Sequence, residues 1–521
     1  MLKTPKFSLD QWLSVIIVMV TVVGMSVIWM FGCPVIDDYW YLSEYREFVS
    51  EGYGKFGACV QSLIQRANTD NIRLPNQIFV FLQPFDYRIF TGLAAAICWL
   101  VSFVEAIRIV GCGWRRPVLI AVLVVMWLLG LPWEEYMLSA AFYLNYVVPC
   151  AFVLVTLRLF LSRSAGKLLA PVMGAITAWS HEAAGFTLVA GMAAFMLFDK
   201  TALTRKRIST LIVTLLFGTV HFLAPAYILH KTDYALGEFP ITADTIFHYK
   251  SIWFFIVISL VIIGLKCAGG RFKLKYCREF TESVSVSMLA MFCAAGLSAV
   301  LFHCLLPLMD RCAWFGLSIV YIGYIYILSH LYIPRRIGLV FSAAITLLLV
   351  WHFTAVTKEV FKVRKIFLPA LAKYEQVNCK PIFTEILAEK DILQASLGRG
   401  SRLPFQPGTN AANLSNRYDN GHMRSAVFIP SVLEDITVNP GEKVPGNNDY
   451  FIKDGYLYCA FHDATGADPF ITEDAYVVRG GIRRHERFIL GKFSTPDGAQ
   501  WQYAASTARL RCTIPIERID K

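Results

Sequence analysis

Long stretches almost free of charge recur along this chain, and each is long enough to cross ~30 Å of hydrocarbon as a helix of about twenty residues. They fall at about 12–32, 88–111, 117–133, 138–161, 208–229, 251–267, 282–307, 312–332 and 338–355. Apolar and polar residues do not alternate along them, so a membrane β-barrel is excluded. Composition agrees: 56% of the residues are hydrophobic and 17% charged, against roughly 45–50% and 25% in a soluble domain. The basic start at Lys3 and Lys6 precedes an apolar run too long for a signal peptide, with no Ala-x-Ala site after it. It reads as an uncleaved first span.

The formal net charge is +11. Most Lys and Arg sit in short links between apolar runs, where they set topology, so no nucleic-acid partner is inferred. No zinc spacing, phosphate-binding glycine loop or dinucleotide fingerprint occurs. Residues 168–198 are apolar but interrupted by Ser180-His181-Glu182, with basic flanks on both sides (Arg163, Lys167; Arg205, Lys206, Arg207). A single crossing would leave one flank on the wrong side. Two short helices in a re-entrant hairpin put both on one side, with His181 and Glu182 at the tip, and broken backbone at that depth is tolerated when shielded. Nine full spans plus this hairpin then place the N-terminus in the cytoplasm and the C-terminus outside. Residues 1–355 form the membrane domain, with 33–87 as its first outer loop. Residues 356–521 form an outer domain, mostly β or α+β, with a helix near 356–376 and strands near 426–429 and 475–478 between turn signals at 439–441 and 496–498. Of its cysteines, Cys459 and Cys512 are the foremost candidates for a disulfide in an oxidising compartment; free or buried thiols are an equal alternative.

Five clusters carry candidate chemistry. Asp37 and Asp38, just past the first span, can act as a general base on a hydroxyl if they reach it, and Tyr39, Trp40 and Tyr41 suit a sugar face. The plainer reading makes the acids helix caps and the aromatics an interfacial belt. Arg73, in Asp70-Asn71-Ile72-Arg73-Leu74-Pro75-Asn76-Gln77, has the planar fork that grips phosphate; an ordinary loop before a helix is the simpler account. His181 and Glu182 form a charged pair in an apolar stretch, costly unless it lines a polar cavity, or else they satisfy a helix break. Arg311 stands at the outer face against the charge bias, suited to an anion, or paired with Asp310. The run from Arg479 to Arg487 is basic, and such runs are usually solvated.

The string Asp37-Asp38-Tyr39-Trp40-Tyr41, the string Ser180-His181-Glu182, and the layout of an acidic pair after span one with a hairpin after span four resemble the C-type glycosyltransferases (GT-C). Within them, the layout is similar to the serotype-converting O-antigen glucosyltransferases of bacteria and their phages. The resemblance implies a GT-C-like membrane fold in a bacterial inner membrane. It implies transfer of a sugar, glucose for example, from undecaprenyl phosphate to O-antigen or another surface glycan at the periplasmic face, with inversion. Asp37 or Asp38 would be the base. Tyr39, Trp40 and Tyr41 would stack on sugar, while Arg73, Arg311 and His181 would hold phosphate and Glu182 would orient His181. The partners would be membrane lipid, a polyprenyl-phosphate-linked donor and a glycan acceptor. A divalent metal, Mg or Mn, is compatible, though no ligand set demands one. A flippase for lipid-linked sugars, or a polysaccharide polymerase or ligase, is the competing expectation.

Overall fold

The computed structural model describes residues 7–32, 38, 41, 44–45, 48–49, 51–69, 71–85, 87–133, 139–162, 166–199, 201, 203–223, 225, 242–268, 275–305 and 310–376, and strands between 382 and 515. The helices are α1 (Leu9–Phe31), α2 (Lys55–Thr69), α3 (Leu74–Leu82), α4 (Tyr87–Val110), α5 (Pro117–Gly130), α6 (Ala140–Leu161), α7 (Leu169–Ser180), α8 (Glu182–Phe198), α9 (Arg205–Val220), α10 (Lys250–Cys267), α11 (Val286–Leu305), α12 (Trp314–Ser329) and α13 (Arg335–Gln376). Among the described residues, seven helices are long and apolar enough to cross a membrane. Large apolar side chains are exposed on them, among them Phe254, Leu260, Leu301, Val340 and Leu347, as a lipid-facing surface requires. The protein is a membrane-embedded, multi-pass helical protein.

Three expectations change in detail. The run at 117–133 gives a helix of 14 residues, only about 21 Å long at 1.5 Å per residue. It starts at Pro117, a favoured first helical position, and stops before Pro132, which disfavours helix in the residue ahead of it. The run at 208–229 gives a helix of 16 residues that begins earlier, at Arg205. The span at 338–355 and the helix near 356–376 are one continuous helix of 42 residues. Lys, Glu and Ala past 355 end the apolar run without ending helical bonding, because they are good helix formers.

The chain divides into two compact units. The first comprises Met1–Met30, Cys59–Glu134 and Ala141–Thr354. Its core is aromatic. Trp99 packs on Trp127 at 5.0 Å and on Phe103 at 5.1 Å, and Trp133 meets Trp314 edge-on at 4.6 Å, which joins α4, α5 and α12. Close backbone approach sets other helix pairs: a Cβ on Gly92 would lie 2.9 Å from the carbonyl carbon of Trp29 in α1. Basic residues of the links bond free helix ends. Lys206 Nζ donates to the carbonyls of Leu159, at 2.8 Å, and Ser162, while Arg207 donates to Phe160 and Leu161 at 2.9 and 3.1 Å. The last carbonyls of α6 lack intrahelical donors, and cations there also meet the negative end of its dipole.

Helices α7 and α8 fold back on each other. Gly185 in the first turn of α8 faces Ala178 in the last turn of α7. Phe195, near the far end of α8, lies under the Arg207 guanidinium at 5.2 Å and beside Phe160 at 5.8 Å. The hairpin therefore returns to the end of the unit where α6 finishes and α9 begins.

The second unit comprises Phe31–Ala58, Glu135–Ala140 and Ala355–Lys521. Strands β1 (Ile382–Ile386) and β2 (Ala426–Pro430) pair in parallel. β6 (Phe470–Arg479) and β7 (Ile482–Lys492) form an antiparallel hairpin, which carries the basic run from Arg479 to Arg487. β3 (Lys443–Val444), β4 (Asp449–Lys453), β5 (Tyr456–His462), β8 (Gln500–Ala504) and β9 (Arg509–Pro515) form a sheet in the order β3-β4-β5-β9-β8. In its β5–β9 ladder Cys459 stands directly opposite Cys512. The turn signals at 439–441 and 496–498 lie outside the described residues.

Candidate functional site

The site is built at the break between α7 and α8. His181 is the one non-helical residue there, with an extended backbone at φ −164 and ψ 130. Its side chain is fully buried. The amide N–H of Ala183 donates to His181 Nδ1 at 3.2 Å, so the ring caps α8 in the way an Asn or Ser oxygen does elsewhere. A nitrogen that accepts carries no proton, so in the neutral ring the hydrogen is on Nε2. Nε2 is buried and has no hydrogen-bond partner among the described residues. The ring sits between Tyr146 at 5.0 Å and Phe315 at 5.1 Å.

Glu182 begins α8, where a carboxylate meets the positive end of the helix dipole. Its Oε2 is 3.6 Å from His181 Nδ1, which accepts from the Ala183 amide. The carboxylate is gripped in both prongs by Arg73: Nε donates to Oε2 at 2.8 Å and Nη2 to Oε1. The two side chains are 18% and 13% exposed. Such a fork-to-fork pair is strong and directional, and removing one partner of a buried pair costs about 3–5 kcal/mol.

Arg73 is delivered by a loop pinned on all sides. Asn71 Oδ1 accepts from the Arg73 amide at 3.1 Å and from Asn76 Nδ2 at 2.8 Å. The Ile72 carbonyl accepts from Gln77 Nε2 at 2.9 Å and from Trp179 Nε1 at 3.1 Å, which docks the loop on the end of α7. Asn145 of α6 donates to Asn76. Pro75 then starts α3 in its first turn. Arg311, in the turn before α12, lays its guanidinium over Phe142 at 4.8 Å, and Phe142 stacks with Tyr146 at 6.4 Å. The Arg311 and Arg73 charges both act on Tyr146 and on His181.

Four of the expected residues are thus brought together in the first unit: Arg73, His181, Glu182 and Arg311. Asp38 and Tyr41 are buried in the second unit, where Asp38 Oδ1 accepts from the Ser139 hydroxyl at 2.8 Å. Asp37, Tyr39 and Trp40, and the side chain of Asp310, lie outside the described residues. Sequence reasoning missed Tyr146, Asn145 and Phe315, which line the same break from within long apolar runs; Asn145 was the available signal, a lone amide inside a span.

The donor set decides what such a place can hold. Among the described residues it has one carboxylate, held by a guanidinium, a second guanidinium and a buried N–H. That set fits an anion. The chain matches no protein family model, no curated protein and no solved structure.

Proposed function

We propose that this chain is a glycosyltransferase that takes a sugar from undecaprenyl phosphate and adds it to O-antigen or another surface glycan at the periplasmic face of a bacterial inner membrane. The observation that carries this reading is the cluster of Arg73, Glu182, His181 and Arg311 at a helix break among apolar helices. A buried ionisable group in a membrane helix bundle is by default a functional candidate, and this cluster offers guanidinium and imidazole N–H donors to a phosphate. The absence of a nucleotide-binding fingerprint from the sequence agrees with a lipid-borne donor.

In the reaction, the acceptor hydroxyl attacks the anomeric carbon and the bond from that carbon to the phosphate oxygen breaks. The electrons leave with undecaprenyl phosphate. Asp37 or Asp38 takes the hydroxyl proton, and the configuration inverts. Arg73 and Arg311 hold the phosphate as its charge grows, with His181 Nε2–H as a further donor; preorganised donors of this kind are worth about 10²–10³ in rate each. Glu182 holds Arg73 in position. Tyr39, Trp40 and Tyr41 stack on sugar. The hairpin enters the membrane from the cytoplasmic side and returns to it, nine spans cross fully, and residues 356–521 lie in the periplasm.

Asp37→Asn and Asp38→Asn are expected to abolish glycan transfer while membrane levels of the protein hold; full activity in both removes the proposed base. Arg311→Ala should raise the apparent donor requirement, and an unchanged value makes Arg311 structural. Reporter fusions should place residue 400 outside and residue 270 inside; the reverse breaks the topology. A flippase reading predicts instead that sugar lipid changes leaflet in vesicles containing the protein without any new glycosidic bond.

A further inference from the structure

At the end of the first unit where α1 begins, three segments meet. The link between α4 and α5 turns at Gly111 and Gly113, both at positive φ, and its Trp114 carbonyl accepts from the Ser14 hydroxyl of α1 at 2.8 Å. Arg116 donates to the Ser329 carbonyl at the end of α12. Arg335, at the start of α13, donates through Nε and Nη2 to Asp10 of α1, at 2.8 Å for the shorter bond. Between them lies a recess of about 280 Å³ lined by Asp10, Arg115, Arg116, Tyr332, Arg335 and neighbouring apolar residues.

Its charge is unbalanced, with three guanidiniums against one carboxylate. Asp10 is committed to Arg335, and Arg116 to a carbonyl. Arg115 is exposed and has no ion-pair or hydrogen-bond partner among the described residues.

The surroundings select the source of an anion. Tyr332 and Trp12 are exposed at this end, at 89% and 53%, in the manner of side chains at headgroup level. On the first turns of α13, whose Arg335, Gly338 and Leu339 line the recess, Ile337, Val340 and Phe341 are exposed as well, an apolar surface suited to acyl chains. Basic pockets at helix ends are where anionic lipid headgroups bind.

We propose that this recess binds the phosphate of an anionic phospholipid, with Arg115 as the group free to engage it. The test uses the full chain purified in mild detergent and titrated with phosphatidylglycerol or phosphatidylcholine, with bound lipid counted by native mass spectrometry. Phosphatidylglycerol should bind in preference. Arg115→Gln should weaken it about 5-fold and Arg115→Glu about 25-fold, from roughly one basic residue's share of surface attraction per unit of charge. Arg205→Glu, the same charge change at the exposed first residue of α9, should alter it less than 2-fold. Arg115 makes no contact that folding would miss, and unchanged thermal unfolding of both variants verifies that. The proposal is overturned if the two lipids bind equally, if Arg205→Glu matches Arg115→Glu, or if inorganic phosphate alone displaces the lipid, which would mark a site for free phosphate.

Discussion

Two acidic residues of the first unit, Glu105 and Glu182, each bind arginine, and they do so in different settings. Glu105 lies in an unbroken helix, α4. Arg108, one turn on, donates to its Oε1 at 2.7 Å, and Arg158 of α6 sits 2.6 Å from Oε2. The two arginines are 55% and 36% exposed. The Glu105 carboxylate is itself only 8% exposed, but Arg108 is open to solvent, and a pair screened in that way is worth about 0–1 kcal/mol. Glu182 lies at a broken helix, Arg73 bound to it is mostly buried, and the neighbouring His181 keeps a buried N–H without a protein acceptor among the described residues. An unsatisfied buried donor costs about 1–3 kcal/mol. Buried polar atoms without a hydrogen-bond partner among the described residues occur at both places, Glu105 Oε2 and Arg158 Nε as well as His181 Nε2; what differs is that Glu105 joins two unbroken helices, whereas Glu182 stands at a helix break.

Exchange of each acid for its amide separates the two most widely. Glu182→Gln should lower glycan transfer about 100-fold, because Arg73 loses its anchor, while Glu105→Gln should stay within about 3-fold. Equal losses would erase the distinction. Stability gives the next effect. Arg73→Ala takes the paired guanidinium from a mostly buried carboxylate and should lower unfolding stability by about 3 kcal/mol, read by thermal unfolding in detergent; Arg108→Ala should cost at most about 1 kcal/mol. The swapped pair Arg73→Glu with Glu182→Arg sharpens this, since it should recover much of the stability and none of the transfer. The smallest effect concerns the cap. His181→Ala should cost about 1 kcal/mol. His181→Asn keeps an acceptor for the Ala183 amide and should hold stability, yet still lower transfer. If His181→Asn is fully active, the ring serves only as a cap.

The sequence made part of this site legible. His181 and Glu182 interrupt an apolar run, and Arg311 breaks the charge bias of the links, so both stood out by cost alone. The partner of Glu182 was not legible. Arg73 was itself a candidate, but it is 109 positions away in a polar loop, and no periodicity reports which loop meets which helix break. Tyr146 and Phe315 were hidden for a different reason: within membrane helices aromatic residues are ordinary, and only packing assigns them to one ring-lined place. Span lengths blurred where hydropathy and hydrogen bonding part company. The run before Pro132 gave a shorter helix than its apolar length implied, and α13 outran its apolar run by about twenty residues, well within the length a helix of charged residues sustains.

The central claim is that the arginine and imidazole group at the helix break serves sugar transfer from a lipid phosphate. Mass spectrometry of the surface glycan tests it most directly, in cells that carry the chain, lack it, or carry Glu182→Gln at equal membrane level. A hexose increment present only with the unaltered chain is the expected result; a glycan of identical mass in all three would contradict the account.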